Sequence, residues 1–167
     1  AKAAMESGVA KKPIENWEKY QEELEQRLGL DNKIVTSLVD RARKDPKKVV
    51  FAEADNYKIL KAAQIVKDEG IAEPILLGKV ARIKELIETY ELDLEDVPIL
   101  DPRSRKQEEL RDKFAQNFYE LRQRKGYTLF EAKKIMRERN YFGTALVCWG
   151  EADAFISGIT RNYPDTL

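Results

Sequence analysis

A loop of small and polar residues follows the last apolar segment of the chain. The run from Ala152 to Ile156 has the character of a buried strand, and residues 157–165 come directly after it. The polar and small residues of this loop are Ser157, Gly158, Thr160, Arg161 and Asp165. Backbone amides, hydroxyls and a guanidinium are groups that bind phosphate, and α/β proteins build their sites at strand ends. The loop is therefore either a site for a phosphate-rich ligand or a plain connection.

The end of the sequence lies next to this loop. Asp165 and Thr166 form a natural start for a helix, yet the sequence stops at Leu167 and begins with Ala1 instead of methionine. We therefore expect a piece of a longer protein, with part of the site supplied by residues outside this sequence.

A basic cluster lies at the end of a long predicted helix over residues 109–125. Arg122, Arg124 and Lys125 are well placed to interact with the negative end of the helix dipole, so a solvated helix end explains them. Arg122 differs because it lies close to the apolar stripe of the helix, beside Leu121. A partly buried arginine requires an anionic partner, which makes Arg122 a candidate ligand-binding residue.

The first predicted strand ends at Glu53, Ala54 and Asp55. Neither a glycine-rich dinucleotide fingerprint nor a P-loop lysine motif occurs in the sequence, which argues against a nucleotide site of those types. The two carboxylates are consistent with a site at the strand end, but Asp55 is better explained as the N-cap of the following helix.

Composition excludes several classes of function. The chain has 30 basic and 30 acidic residues, so no net charge attracts nucleic acid or a membrane, and we expect neither as a partner. It has no histidine, which removes Ser-His and Cys-His catalysis. Its single cysteine, Cys148, lies in an apolar stretch and is predicted to be a core residue. No apolar run reaches the roughly 18 residues of a membrane span, and a reducing cytoplasm is the expected location.

The predicted elements alternate between strand and helix after Pro46. Strands are predicted at residues 49–52, 74–77, 97–100 and 152–156, and helices at 56–69, 80–90, 109–125, 128–136 and 140–149. Thr128 and Glu131 have the spacing of a capping box. Two further helices, at 13–28 and 32–43, precede this pattern. Alternation of this kind predicts an α/β fold with a mainly parallel sheet between helical layers.

Three segments carry a resemblance to a known family. They read VVFAEADNYKILKAAQIVKDEGIAEPILLG, FYELRQRKGYTLFEAKKIM and GEADAFISGITRNYPDTL. In order and spacing they resemble the first half of the phosphate acetyltransferase domain, from Lys47 to Leu167. The resemblance implies an incomplete phosphotransacetylase-like fold, related to that of isocitrate and isopropylmalate dehydrogenases, in a three-layer α/β/α lobe over residues 46–167.

The opening AKAAMESGVAKKPIENWEKYQEELEQRL resembles the end of the nucleotide-binding domain and the connector of bacterial hybrid malic enzymes, which assigns residues 1–45 to that region. This resemblance implies a parent that converts malate to pyruvate and CO₂ with NADP and Mg²⁺ or Mn²⁺, bound outside this chain. In such enzymes the acetyltransferase-like part is expected to bind acetyl-CoA or a related effector and to form homo-oligomers, without catalysis of its own.

Site residues follow from the same resemblance. Arg122 matches an arginine that acetyltransferases use near phosphate and coenzyme A. The loop with Ser157, Gly158, Thr160, Arg161, Asp165 and Thr166 matches the segment leading to a second such arginine. Two alternatives to a regulatory module remain: an active phosphate acetyltransferase, and a purely structural domain docked through its first two helices.

Overall fold

The computed structural model describes Lys2, Met5, Ser7, Gly8, Ile14 and residues 16–27 and 33–160. The chain divides into two compact units, Ala1–Val39 and Asp40–Leu167. The helices whose bounds the structure describes are α1 (Trp17–Arg27), α2 (Lys33–Lys44), α3 (Tyr57–Asp68), α4 (Val80–Thr89), α5 (Glu108–Arg122), α6 (Leu129–Ile135) and α7 (Arg139–Cys148). The strands among the described residues are β1 (Lys47–Phe51), β2 (Ala72–Leu77), β3 (Ile99–Leu100) and β4 (Ala154–Ile156).

The second unit is built on a sheet of four parallel strands in the order β3-β2-β1-β4. Side chains alternate between its two faces, as the pleat requires. Phe51 and Leu76 pack with α3 and α4 on one face, whereas Val50 and Leu77 pack with α5, α6 and α7 on the other. The predicted three-layer α/β/α fold with a parallel sheet is therefore confirmed.

The helix boundaries follow from local chemistry. Asn56 caps α3 by accepting a hydrogen bond from the amide of Lys58 at 2.9 Å. The predicted capping box of α6 is present: Thr128 Oγ1 accepts from the Glu131 amide, and the Glu131 carboxylate accepts from the Thr128 amide. Gly126 takes a left-handed φ of 89° after the short 3₁₀ turn Gln123–Lys125, a conformation that glycine adopts at little cost.

One core prediction is wrong. Cys148 is exposed, because it lies on the same face of α7 as the exposed Tyr141 and Thr144. The opposite face buries Phe142, Ala145 and Leu146 instead.

The first unit contains α1. The aromatic side chains Trp17 and Tyr20 of this helix meet edge to face with ring centroids 6.1 Å apart, and Trp17 remains 40% exposed.

Among the helices that the structure describes, none is long and apolar enough to cross a membrane.

Candidate functional site

The sheet order places a crevice between β1 and β4. The chain adds β2 and β3 on one side of β1 and then returns to add β4 on the other side. Such a reversal leaves a gap between the connections at the carboxyl ends of the two strands, where open α/β sheets bind ligands. Here the gap lies between the segment after β1, with Glu53, and the loop after β4, with Ser157.

The Glu53 carboxylate binds this loop directly. Oε2 accepts hydrogen bonds from the amides of Ile159 and Thr160, both at 2.9 Å, and Oε1 accepts one from the Gly158 amide at 3.3 Å. Ser157 Oγ lies 3.3 Å from the same Oε1. Glu53 is only 4% exposed, so its charge is stabilised by these donors instead of by water. An internal carboxylate thus takes the place of an external anion among the loop amides.

This contact corrects one part of the site prediction. The loop amides were expected to be available to a phosphate, but those of Gly158, Ile159 and Thr160 already donate to Glu53. The parts of the loop left for a ligand are the exposed side chain of Thr160 and the partly buried Ser157 hydroxyl. Arg161, Asp165 and Thr166 lie outside the described residues, so their roles stay predictions.

Asn140 supports the same loop from the start of α7. Its side chain is 9% exposed, and its Oδ1 lies 3.3 Å from Ser157 Oγ. A hydroxyl has one proton, so Ser157 donates to either Glu53 or Asn140. The amide bonds to Glu53 hold the loop in either case, and the Ser157 hydroxyl adds one further bond, either to the segment after β1 or to α7.

Asp55 is not the helix cap that its position predicted. Asn56, one residue later, caps α3, whereas Asp55 forms a two-pronged ion pair with Arg139, both N–O distances being 2.7 Å. The hydrogen bond from Arg139 holds the pKa of Asp55 below its ordinary value. This pair joins the segment after β1 to the first residue of α7. Asp55 therefore connects two elements at the carboxyl edge of the sheet.

Arg122 lies at the last position of α5 and is exposed. The predicted partial burial is wrong because the apolar stripe of α5 leaves the core before this point: Phe114 is fully buried, but Leu121 is 71% exposed. The ring of Phe118 contacts Tyr141 in the first turn of α7, with centroids 6.1 Å apart. The last turns of α5 thus lie beside the first turn of α7. The ligand role of Arg122 stays a prediction.

Sequence reasoning missed three residues that shape this edge: Glu53 as the loop's binding partner, Arg139, and the buried Arg111. Arg111 is 8% exposed, and its Nη1 donates to the carbonyls of Pro102 at 2.7 Å and Ser104 at 3.2 Å. Arg111 lies on the same face of α5 as the buried Phe114 and Ala115, and this position within an apolar stripe could have predicted its burial. Glu53 was noted only as one of two carboxylates at a strand end, and Arg139 gave no local signal, because the partner of each is 84 or more residues away in the chain.

Comparisons with known proteins place these features in a family. Residues 33–167 match the family described as phosphate acetyl/butaryl transferase. An NADP-dependent malic enzyme of Rhizobium meliloti is 32% identical over the whole chain, which spans 22% of that enzyme. A similar malic enzyme of Haemophilus influenzae is 35% identical over 98% of the chain. A phosphate acetyltransferase of Thermoanaerobacterium thermosaccharolyticum is 40% identical over 80% of the chain and 39% of the enzyme.

Solved structures agree with the sequence matches. A phosphotransacetylase from Streptococcus pyogenes aligns with 79% of the chain at a TM-score of 0.65 and 30% identity, covering 40% of that protein. The EutD phosphotransacetylase from Staphylococcus aureus aligns with 74% of the chain at a TM-score of 0.63. The predicted resemblance is confirmed, and this chain, which spans well under half the length of these relatives, belongs to the phosphate acetyl/butaryl transferase family.

Proposed function

We propose that this chain is a regulatory module of an NADP-dependent malic enzyme and that its sheet edge binds acetyl-CoA or a closely related effector. The observation that carries this proposal is the alignment of essentially the entire chain, including the residues before position 33, with malic enzymes. The phosphate acetyltransferase of Thermoanaerobacterium thermosaccharolyticum aligns with a shorter part of it. The parent would oxidise malate to pyruvate and CO₂, with NADP and Mg²⁺ or Mn²⁺ bound outside this chain.

The effector would bind between the end of α5 and the loop after β4. Arg122 supplies an exposed guanidinium with its charge available to a phosphate, and Ser157 and Thr160 supply hydroxyls. Glu53 holds the loop amides, which fixes the position of these hydroxyls before a ligand arrives and so lowers the ordering cost of binding. This arrangement supports binding of an anionic carrier without requiring a catalytic group in the chain.

Oligomers are part of the proposal. Large apolar side chains on α1 and α2 are exposed, among them Trp17, Leu24, Val35 and Leu38, with exposed fractions of 40%, 39%, 47% and 55%. Apolar surface of this kind favours association. We expect Leu38→Asp to shift the full-length protein to a smaller assembly in light scattering, whereas substitution of the exposed Ser37 by Asp leaves its mass unchanged.

The alternative function is acetyl transfer between coenzyme A and phosphate. The name of the Thermoanaerobacterium thermosaccharolyticum relative favours it, and holding acetyl phosphate beside coenzyme A is largely a matter of position and charge. The two functions differ in one assay: an active transferase forms acetyl phosphate from acetyl-CoA and phosphate, and a regulatory module does not.

The test of the regulatory function is malate-dependent NADPH formation by the full-length parent, with and without acetyl-CoA. We expect acetyl-CoA to change the rate of the wild type and Arg122→Ala to reduce that response. Arg105→Ala, which removes another exposed arginine, is the matched control and keeps the response. An unchanged wild-type rate with acetyl-CoA would contradict the proposal, and acetyl phosphate formation would favour the alternative.

A further inference from the structure

A second feature of the carboxyl edge lies beside β2 and β3. A cleft of about 80 Å³ opens there, several times the space that one water molecule requires. Three segments form its walls: the turn after β2, with Gly78 and Lys79; the turn at residues 101–103 after β3; and residues 137–139, which lead into α7 and include its first residue. The loop after β4 is not among its walls, and β4 lies on the other side of β1 in the sheet order.

The cleft is lined by more positive than negative charge. Its cationic residues are Lys79, Arg103, Arg137 and Arg139, and its acidic residues are Asp101 and Glu138. Two of the cations already have carboxylate partners: Arg139 binds Asp55 outside the lining, and Arg103 lies 3.0 Å from Glu138.

The other two cationic residues of the cleft, Lys79 and Arg137, have no carboxylate partner among the described residues. Both side chains are exposed. The remaining carboxylate of the lining, Asp101, accepts a hydrogen bond from the Arg103 amide at 2.9 Å. The cleft therefore offers two cationic side chains that are not committed to a partner within the described residues.

The wall between β3 and α5 is fixed by buried contacts. The Ser104 amide donates to the Asp101 carbonyl at 3.0 Å, which closes the turn. Arg111 then holds the turn from the core through the carbonyls of Pro102 and Ser104. A wall that is rigid before binding reduces the entropy lost when a ligand is ordered.

We propose that this cleft binds a phosphate group of a small molecule, with Lys79 and Arg137 as the contacting side chains. Two cations that have no ion-pair partner among the described residues match the charge of a phosphate dianion, and the same cations repel a cationic ligand. Arginine also presents two parallel donors to phosphate oxygens. The phosphate belongs either to a larger carrier such as the proposed acetyl-CoA effector or to free inorganic phosphate. The site itself does not depend on the proposed regulatory function.

The test is calorimetric titration of the full-length protein with inorganic phosphate and with pyrophosphate at low ionic strength, where surface charge is least screened. We expect the variant Lys79→Ala/Arg137→Ala to bind at least tenfold more weakly than the wild type. The matched control, Arg41→Ala/Lys61→Ala, removes the same charge from exposed positions outside the cleft and keeps wild-type affinity. Equal affinity of the cleft variant and the wild type, or an equal loss in the control, would overturn the proposal.

A second titration with acetyl-CoA identifies the source of the phosphate. If the cleft variant also loses affinity for acetyl-CoA, the phosphate is part of that carrier, and if it keeps this affinity, the ligand is free phosphate. Circular dichroism of both variants checks that the fold is retained. The regulatory function fails on a different result, an NADPH rate that acetyl-CoA does not change, so the two failures are distinguishable.

Discussion

Replacement of Glu53 by glutamine is predicted to release the loop after β4. The substitution keeps the size of the side chain but replaces one carboxylate oxygen by an NH₂ group, which cannot accept a hydrogen bond. The remaining oxygen can take the Oε2 position and keep the amides of Ile159 and Thr160, but these bonds then lose the carboxylate charge, and the Gly158 amide loses its acceptor. A hydrogen bond to a charged group is worth about 1.5–3 kcal/mol, and one between neutral groups about 0.5–1.5 kcal/mol. The two retained bonds are therefore each weaker by about 1 kcal/mol and the third is lost, so we expect a total loss of about 3 kcal/mol.

Hydrogen exchange measures this loss locally. Exchange of the amides at residues 158–160 reports the free energy of opening the loop. A loss of about 3 kcal/mol corresponds to roughly 150-fold faster exchange, since about 1.4 kcal/mol is a factor of ten. Mass spectrometry of peptides from the full-length protein gives this rate without requiring the chain to unfold as one cooperative unit. Glu88→Gln, at an exposed position of α4, is the matched control and leaves exchange of the loop unchanged.

An exchange rate of residues 158–160 in Glu53→Gln that stays within a factor of three of the wild type would contradict this role of Glu53. Such a result would mean that the loop is held by other contacts and that the carboxylate contributes little. A general increase of exchange over α3 and the sheet would instead show damage to the core, and the local assignment of Glu53 would then be wrong.

Three further predictions concern stability. Asp55→Asn removes the ion pair with Arg139 and is expected to cost about 1–2 kcal/mol, between the values of exposed and buried pairs. Because the pKa of Asp55 is lowered in the folded state, its contribution is present above about pH 4 and is lost as pH falls through the folded-state pKa; denaturation at several pH values measures this. Thr128→Ala is expected to cost about 1 kcal/mol of helix capping in urea denaturation. Gly143→Ala is expected to cost about 1–3 kcal/mol or more, measured in the same way, because the added methyl collides with the Phe155 ring.

Each of these has a control of the same chemistry. Asp68→Asn changes an exposed aspartate and is expected to leave the pH dependence intact; equal curves for the Asp55 variant and the wild type would contradict the ion-pair account. Thr128→Ser retains the capping hydroxyl and is expected to retain most of the stability. Thr144→Ala, on the exposed face of the same helix as Gly143, is expected to change stability by less than about 0.5 kcal/mol.

The fold was predictable because its signals are local. Gly126, which ends the turn after α5, and the pair of Thr128 and Glu131, which begins α6, each act within a few residues. The alternation of apolar runs and amphipathic helices determined the parallel sheet in the same way. Asn56 shows the limit of such reasoning, since two neighbouring residues are both able to cap α3 and only the tertiary contact of Asp55 with Arg139 decides between them.

The candidate site was less predictable because its contacts connect distant parts of the chain. The sequence positions of Glu53 and Gly158 are 105 residues apart, and no spacing rule joins them. Arg122 was placed correctly at a helix end but incorrectly in burial, because the apolar stripe of α5 continues to Leu121 after the helix has left the core. The predicted loop was right in position, whereas the partner of its amides depends on the crevice that the strand order creates.

The proposed regulatory function depends on binding of acetyl-CoA at the carboxyl edge of this chain. Hydrogen exchange of the full-length protein, with and without saturating acetyl-CoA, is the measurement that tests this binding. Acetyl-CoA is predicted to slow exchange in two segments of this chain, the loop at residues 157–160 and the end of α5 around Arg122, and the effect at α5 is predicted to disappear in Arg122→Ala. Unchanged exchange across this chain, or protection confined to other parts of the protein, would contradict the account.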